Sequence, residues 1–200
     1  MSIATALFTL FASLSSSCRR RLMTGIALGL QLSLAGTAFA QAAPQATPPW
    51  REVLPQAQTV GSGTMRWLGL RIYDATLWAP QRPLDDNQPF ALQLDYKVGI
   101  SRDRLTNTSI DEIQRMSPAP IPGPTLARWK NELSRAFVDV ADGDELVGVF
   151  LPRRGMRLYD RNKLLAEIAD PELARSFFNI WLGQPSRDDS LRRRLLGETP

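Results

Sequence analysis

From about residue 58 onward the apolar positions of the chain fall into two periods. Phe90, Leu92, Leu94 and Tyr96 alternate with Ala91, Gln93, Asp95 and Lys97. That period of two predicts a half-buried antiparallel strand over Phe90–Val98. Thr59–Trp67 and Leu70–Ala79 read as two earlier strands joined through Leu68-Gly69, short enough for a hairpin. Gly61 and Gly63 predict a bend or bulge in the first of them, and Ile72, Tyr73, Leu77 and Trp78 suit a pleated surface in the second. The polar stretch 80–89, with prolines at 80, 83 and 89, is a loop.

The period then lengthens. Ser101 can cap a helix running to about Met116, with Leu105, Ile110, Ile113 and Met116 as its apolar positions and Thr106–Ser109 as a point of interruption. Residues 117–124 (SPAPIPGP) read as a loop, and Thr125 caps a second helix with Leu126, Trp129, Leu133 and Phe137 on one face. Three short strands follow, Glu145–Leu151, Met156–Tyr159 and Leu164–Ile168, separated by turns at 153–155 and 160–162. Asp170 as cap and Pro171 at the first helical position open a helix with Leu173, Phe177, Ile180 and Trp181 on one face, ended by Gly183. A last helix starts at Ser186 or Asp188, carries Leu191, Leu195 and Leu196, and closes at Gly197. Strands, helices, strands, helices predict an α+β fold: an antiparallel sheet of about six strands with helices layered on one face.

Residues 1–40 are organised differently. They hold no acidic residue, three arginines at 19–21, an apolar stretch from Leu22 to Leu34, and Ala38-Phe39-Ala40. Basic, apolar, then small-x-small is the layout of a secretory signal peptide, expected to be cleaved after Ala40; an N-terminal membrane anchor is the alternative. Residues 41–57, rich in Ala, Gln and Pro, read as an extended linker to a domain over 58–200. The expected location is therefore periplasmic or secreted, with no stable membrane span once the leader is removed.

Composition narrows the chemistry. The chain has no histidine and a single cysteine, Cys18, within the leader. Histidine triads, histidine metal sites, zinc ribbons and thiol chemistry in the mature chain are excluded. Removing Arg19–Arg21 takes Lys+Arg from 24 to 21 against 20 Asp+Glu, a net of +1. No strong field for nucleic acid or acidic lipid remains. No metal or cofactor is expected, and no catalytic residue is assigned. Asp142 and Asp144 flank a glycine but lack further acids at calcium-loop spacing, so they read as a turn. Arg192–Arg194 read as a solvated helix end, and Trp129 and Trp181 as packing.

One constellation stands out. Arg71 and Tyr73 lie two residues apart on a predicted strand and project to one face, with Arg66 on the neighbouring strand. An arginine fork beside a neutral hydroxyl donor can hold a carboxylate or an enolate. The alternative is that both arginines are edge charges and Tyr73 is a core ring with its hydroxyl at the rim.

Four blocks, GSGTMRWLGLRIYDATLW (61–78), FALQLDYKVGI (90–100), FVDVADGDELVGV (137–149) and GMRLYD through IADPELARSFFNIWLG (155–183), resemble the chalcone isomerase-like family in its bacterial exported branch. The resemblance implies an open-faced sandwich with an apolar cleft between sheet and helices. It implies that Tyr73 takes the place of a second-strand threonine of the enzymes, as in fatty-acid-binding relatives, and that Arg66 takes the place of their arginine. Asn107 and Gln114 are the nearby candidates for the helical Tyr and Asn of the enzymes. Three readings follow: non-catalytic binding of a fatty-acid-like or other amphipathic carboxylate through Arg66, Tyr73 and Arg71; an isomerase or intramolecular lyase acting on a carbonyl compound; or an interaction module whose cleft its own side chains fill.

Overall fold

The structure, a computed structural model, describes residues 47–198; the expected leader and the first residues of the expected linker lie outside them. Six strands form a single antiparallel sheet in chain order: β1 (Gln58–Trp67), β2 (Leu70–Ala79), β3 (Phe90–Tyr96), β4 (Glu145–Leu151), β5 (Gly155–Asp160) and β6 (Leu164–Ile168). Helices α1 (Arg102–Met116) and α2 (Gly123–Ala136) connect β3 to β4, and α3 (Pro171–Leu182) and α4 (Asp189–Leu195) follow β6. The predicted α+β architecture is the observed one.

The alternation in β3 sorts the two faces of the sheet. Phe90, Leu92, Leu94 and Tyr96 join Ala75, Leu77 and Leu158 in the main core, beneath the helices. There α4 packs on β1 and β2, α3 on β4 and β5, and α2 against β6, while α1 packs on α2 and α3. Gly61 and Gly63 permit the closest of these approaches: a Cβ on Gly61 would lie 2.0 Å from the Arg194 carbonyl oxygen of α4. Close backbone approach, together with the register shift between Thr59 and Gly61, is the role of these glycines.

The opposite face is not bare. Residues 49–57, expected as an extended linker, fold onto it. A 3-10 turn at Pro49–Glu52 places Trp50, 2% exposed, against Trp78 with ring centroids 5.7 Å apart, and Leu54 and Ala57 are buried beside it. Arg51 stacks over both indoles at 4.6 Å and donates to the Ala57 carbonyl. Composition alone suggested a linker because proline and alanine dominate; the buried tryptophan supplies the apolar area that holds the segment down.

Two helix expectations change. Helix α1 runs through Thr106–Ser109 without interruption; Thr106 is buried, and its hydroxyl finds an acceptor within the same helix, the Arg102 carbonyl at 2.9 Å. Helix α2 begins at Gly123 rather than after Thr125: Pro124 sits in the first turn, where its missing N–H has no intrahelical acceptor to lose. The Asp142–Asp144 segment is a turn in which the Asp144 carboxylate accepts from the Ala141 amide at 2.7 Å. Among the described residues no helix is long and apolar enough to cross a membrane.

Candidate functional site

Strand β2 carries Tyr73 onto the helix-covered face, opposite Met65 of β1 and Tyr96 of β3. The Tyr73 and Tyr96 rings meet edge to face at 5.9 Å. From above, the end of α3 brings Trp181, whose indole N–H donates to the Tyr73 hydroxyl oxygen at 2.9 Å. Trp181 also packs edge to face on Phe177, which fixes the indole. It is therefore more than the packing residue its helical position implied.

The Tyr73 oxygen accepts this bond, so its own O–H proton remains to be donated, and no described residue accepts it. Burial pushes the Tyr73 phenol up to about 12, and Asp188 and Glu112 push the same way against the Trp181 bond. The hydroxyl is thus a neutral donor across the whole physiological range. Burial also raises Tyr96, with Tyr73 adding to the shift.

The two arginines are placed differently from Tyr73. Arg71 turns to Asp74, meeting its two carboxylate oxygens at 2.9 and 2.7 Å. Asp74 also accepts from Thr64 at 2.6 Å and lies 3.5 Å from Lys97; the Arg71 and Thr64 bonds hold its carboxyl below the usual carboxylate range. Arg66 is exposed and, among the described residues, donates to the Gly69 carbonyl at 3.5 Å. A register shift between Met65 and Arg66 sets Arg66 directly across from Arg71 at the end of the ribbon. What meets the Tyr73 hydroxyl is Trp181, and both arginines are engaged within the hairpin. Asn107 and Gln114 are exposed, so α1 turns other residues inward: Thr106, Ser109, Ile110, Glu112 and Ile113.

Glu112 was not singled out by the sequence. Its side chain is 9% exposed and is held by Arg115 at 2.7 Å and Arg187 at 2.6 Å, which ties α1 to the segment leading into α4. The i,i+3 spacing of Glu112 and Arg115 is legible; the third member lies 75 residues away. At the far end of β3 a cavity of about 130 Å³ opens among Leu84, Phe90, Phe150, Phe178, Leu182 and Leu196.

An antiparallel sheet with helices layered over one face, and a tyrosine donor beneath them, defines the class of fold. The sequence model of the chalcone isomerase-like family matches residues 58–197, and the chain belongs to that family. Among solved structures it is similar to a fatty-acid binding protein of Arabidopsis thaliana, with a TM-score of 0.54 and 11% identity, over 71% of this chain and 87% of that one. At that identity the likeness shows the fold. No curated protein matches the chain in sequence.

Proposed function

We propose that this protein binds a fatty-acid-like or other apolar carboxylate between the inner face of the sheet and the helices, with the head group at Tyr73. The observation that carries the reading is the Tyr73 hydroxyl, held in place by Trp181 and left with a proton to donate. Arg66 supplies the charge-assisted part of the clamp, because its single 3.5 Å bond leaves it able to turn. Arg71 is the less available fork, since Asp74 holds it twice. The fold likeness to a fatty-acid binding protein supports the same reading. The tail lies among the apolar side chains of the inner face.

A second reading, the self-filled cleft, draws on the packing of the inner face. Leu92 and Leu94, which line the inner face, are already buried by the protein's own side chains. A long tail therefore enters only where side chains or a helix give way.

Native mass spectrometry of the purified protein separates the two. A co-purified amphipathic carboxylate, or adduct formation with added palmitate, is the expected result. A bare mass under both conditions sinks the binding reading and leaves the self-filled module. The proposal includes export: fractionation should give a soluble form whose N-terminus is Gln41, and a full-length cytoplasmic protein contradicts that part alone.

A further inference from the structure

The β1–β2 hairpin breaks three local rules at one place. Its two-residue turn has positive φ at both positions, 48° at Leu68 and 82° at Gly69. Asn-Gly or Asp-Gly suits such a turn, whereas leucine is strained in the left-handed region. Leu68 is also 87% exposed and Leu70 42%, the two forming an apolar tip with the half-buried Trp67. On the next rung Arg66 faces Arg71, and like charges directly opposite oppose pairing. Asn, Asp or Gly at position 68, a polar apex and an oppositely charged rung would each favour folding. Their joint absence marks a selected surface rather than a structural need.

We infer that this hairpin is a membrane-docking tip that inserts Leu68 into the surface of an anionic lipid bilayer. The charge pattern identifies the partner. Arg66 and Arg71 form the rung next to the tip and Lys97 lies on the adjoining strand β3; Asp74 pairs with Arg71 and Lys97, while Arg66 meets the Gly69 carbonyl. Two residues of extended strand, about 7 Å, separate the leucine apex from the arginine rung. Side chains inserted roughly 5–10 Å into the headgroup boundary place cations on that rung at the level of lipid phosphates. Trp67, beside the apex, is suited to that boundary. The near-neutral net charge of the mature chain gives little long-range attraction, so the contact is local. Val138 and Leu164 are the other exposed large apolar side chains among the described residues, Val138 beside Asp139 and Leu164 beside Lys163, and neither sits at a strained turn with a second exposed apolar side chain. The inference does not depend on which ligand, if any, the cleft holds.

Vesicle flotation tests it with the intact protein, comparing wild type with Leu68→Asn and Leu68→Gly. Both substitutions suit a positive φ, so the fold and its denaturation midpoint should be kept or improved. Wild type should partition onto phosphatidylglycerol-containing vesicles, less onto pure phosphatidylcholine, and less as salt is raised. Either variant should bind about ten-fold more weakly, as loss of one buried leucine implies. If one variant folds poorly, the other carries the comparison. Equal partitioning of wild type and variants overturns the proposal, as does failure of wild type to bind anionic vesicles. A dimer in sedimentation equilibrium that Leu68→Asn dissolves, without vesicle binding, also overturns it, in favour of a second copy as the occupant of the tip. Loss of palmitate binding alone bears on the cleft and leaves this result unaffected.

Discussion

Among the described residues tryptophan indoles donate to Gln93, Asp170 and Tyr73, and the last two, at opposite ends of α3, differ in what remains unmet. Asp170, at the start of α3, accepts from the Trp129 indole at 2.9 Å, from the Glu172 and Leu173 amides at 3.0 and 2.9 Å, and from Arg128. Burial opposes its ionisation, yet the Leu173 amide, Arg128 and Trp129 overcome that and hold the carboxyl below its ordinary range. Every strong acceptor direction is filled by the chain. Tyr73, at the other end of the same helix, accepts from Trp181 and keeps an unassigned proton. A closed node of this kind is built for stability, and an open one is available to a ligand.

The largest effect should come from the closed node. Asp170→Ala removes a helix cap and a charge-assisted pair, and should cost about 3 kcal/mol in denaturant unfolding. A loss below 1 kcal/mol would break the contrast.

Alkaline pH comes next. The Tyr73 phenol ionises at about 12 in the folded state against 10.0 ordinarily, so the folded state binds the proton more tightly. Its contribution is fully present below about pH 10, where the unfolded phenol begins to ionise, and is lost as pH rises towards about 12. The decline should be on the order of 2–3 kcal/mol for this group, with Tyr96 steepening it. Tyr73→Phe should flatten the profile measured by denaturant unfolding between pH 9 and 12, and an unchanged slope would contradict the burial assigned to the hydroxyl.

The hairpin arginines should separate binding from stability. Arg66→Ala should weaken fatty-acid binding by about ten- to a hundred-fold, the scale of a charge-assisted bond, and leave unfolding almost unchanged. Arg71→Ala breaks a part-exposed pair with Asp74 and should cost about 1 kcal/mol or less of stability. A large affinity loss in Arg71→Ala with none in Arg66→Ala would move the fork to Arg71.

The strands were legible because the alternation of Phe90–Tyr96 and the β-favouring residues of Leu70–Ala79 meet a sheet buried on one face. Their ends moved little, β3 stopping at Tyr96 rather than Val98. The Trp50 segment was not legible: nothing in the spacing of prolines says that one tryptophan finds a partner in Trp78 on a strand 28 residues later. Tyr73 was legible as a candidate from its strand and neighbours. Trp181 was legible only as inward-facing, since helical periodicity gives a side chain's direction and not its hydrogen-bond partner 108 residues away. The inward turn of Glu112 was hidden for a related reason: a charged residue on an amphipathic helix reads as solvated until the arginine that joins it from another element is known. The Arg66–Arg71 rung depended on a bulge that the glycines suggested further up the strand but not at Met65–Arg66.

Calorimetric titration of wild type and Tyr73→Phe with palmitate asks whether the Tyr73 hydroxyl holds a head group. Wild type should bind measurably and Tyr73→Phe about five-fold more weakly, the loss of one hydrogen bond of about 1 kcal/mol, with the same stoichiometry and a folded protein. Equal affinity in the two proteins, or no binding by wild type, would contradict that role.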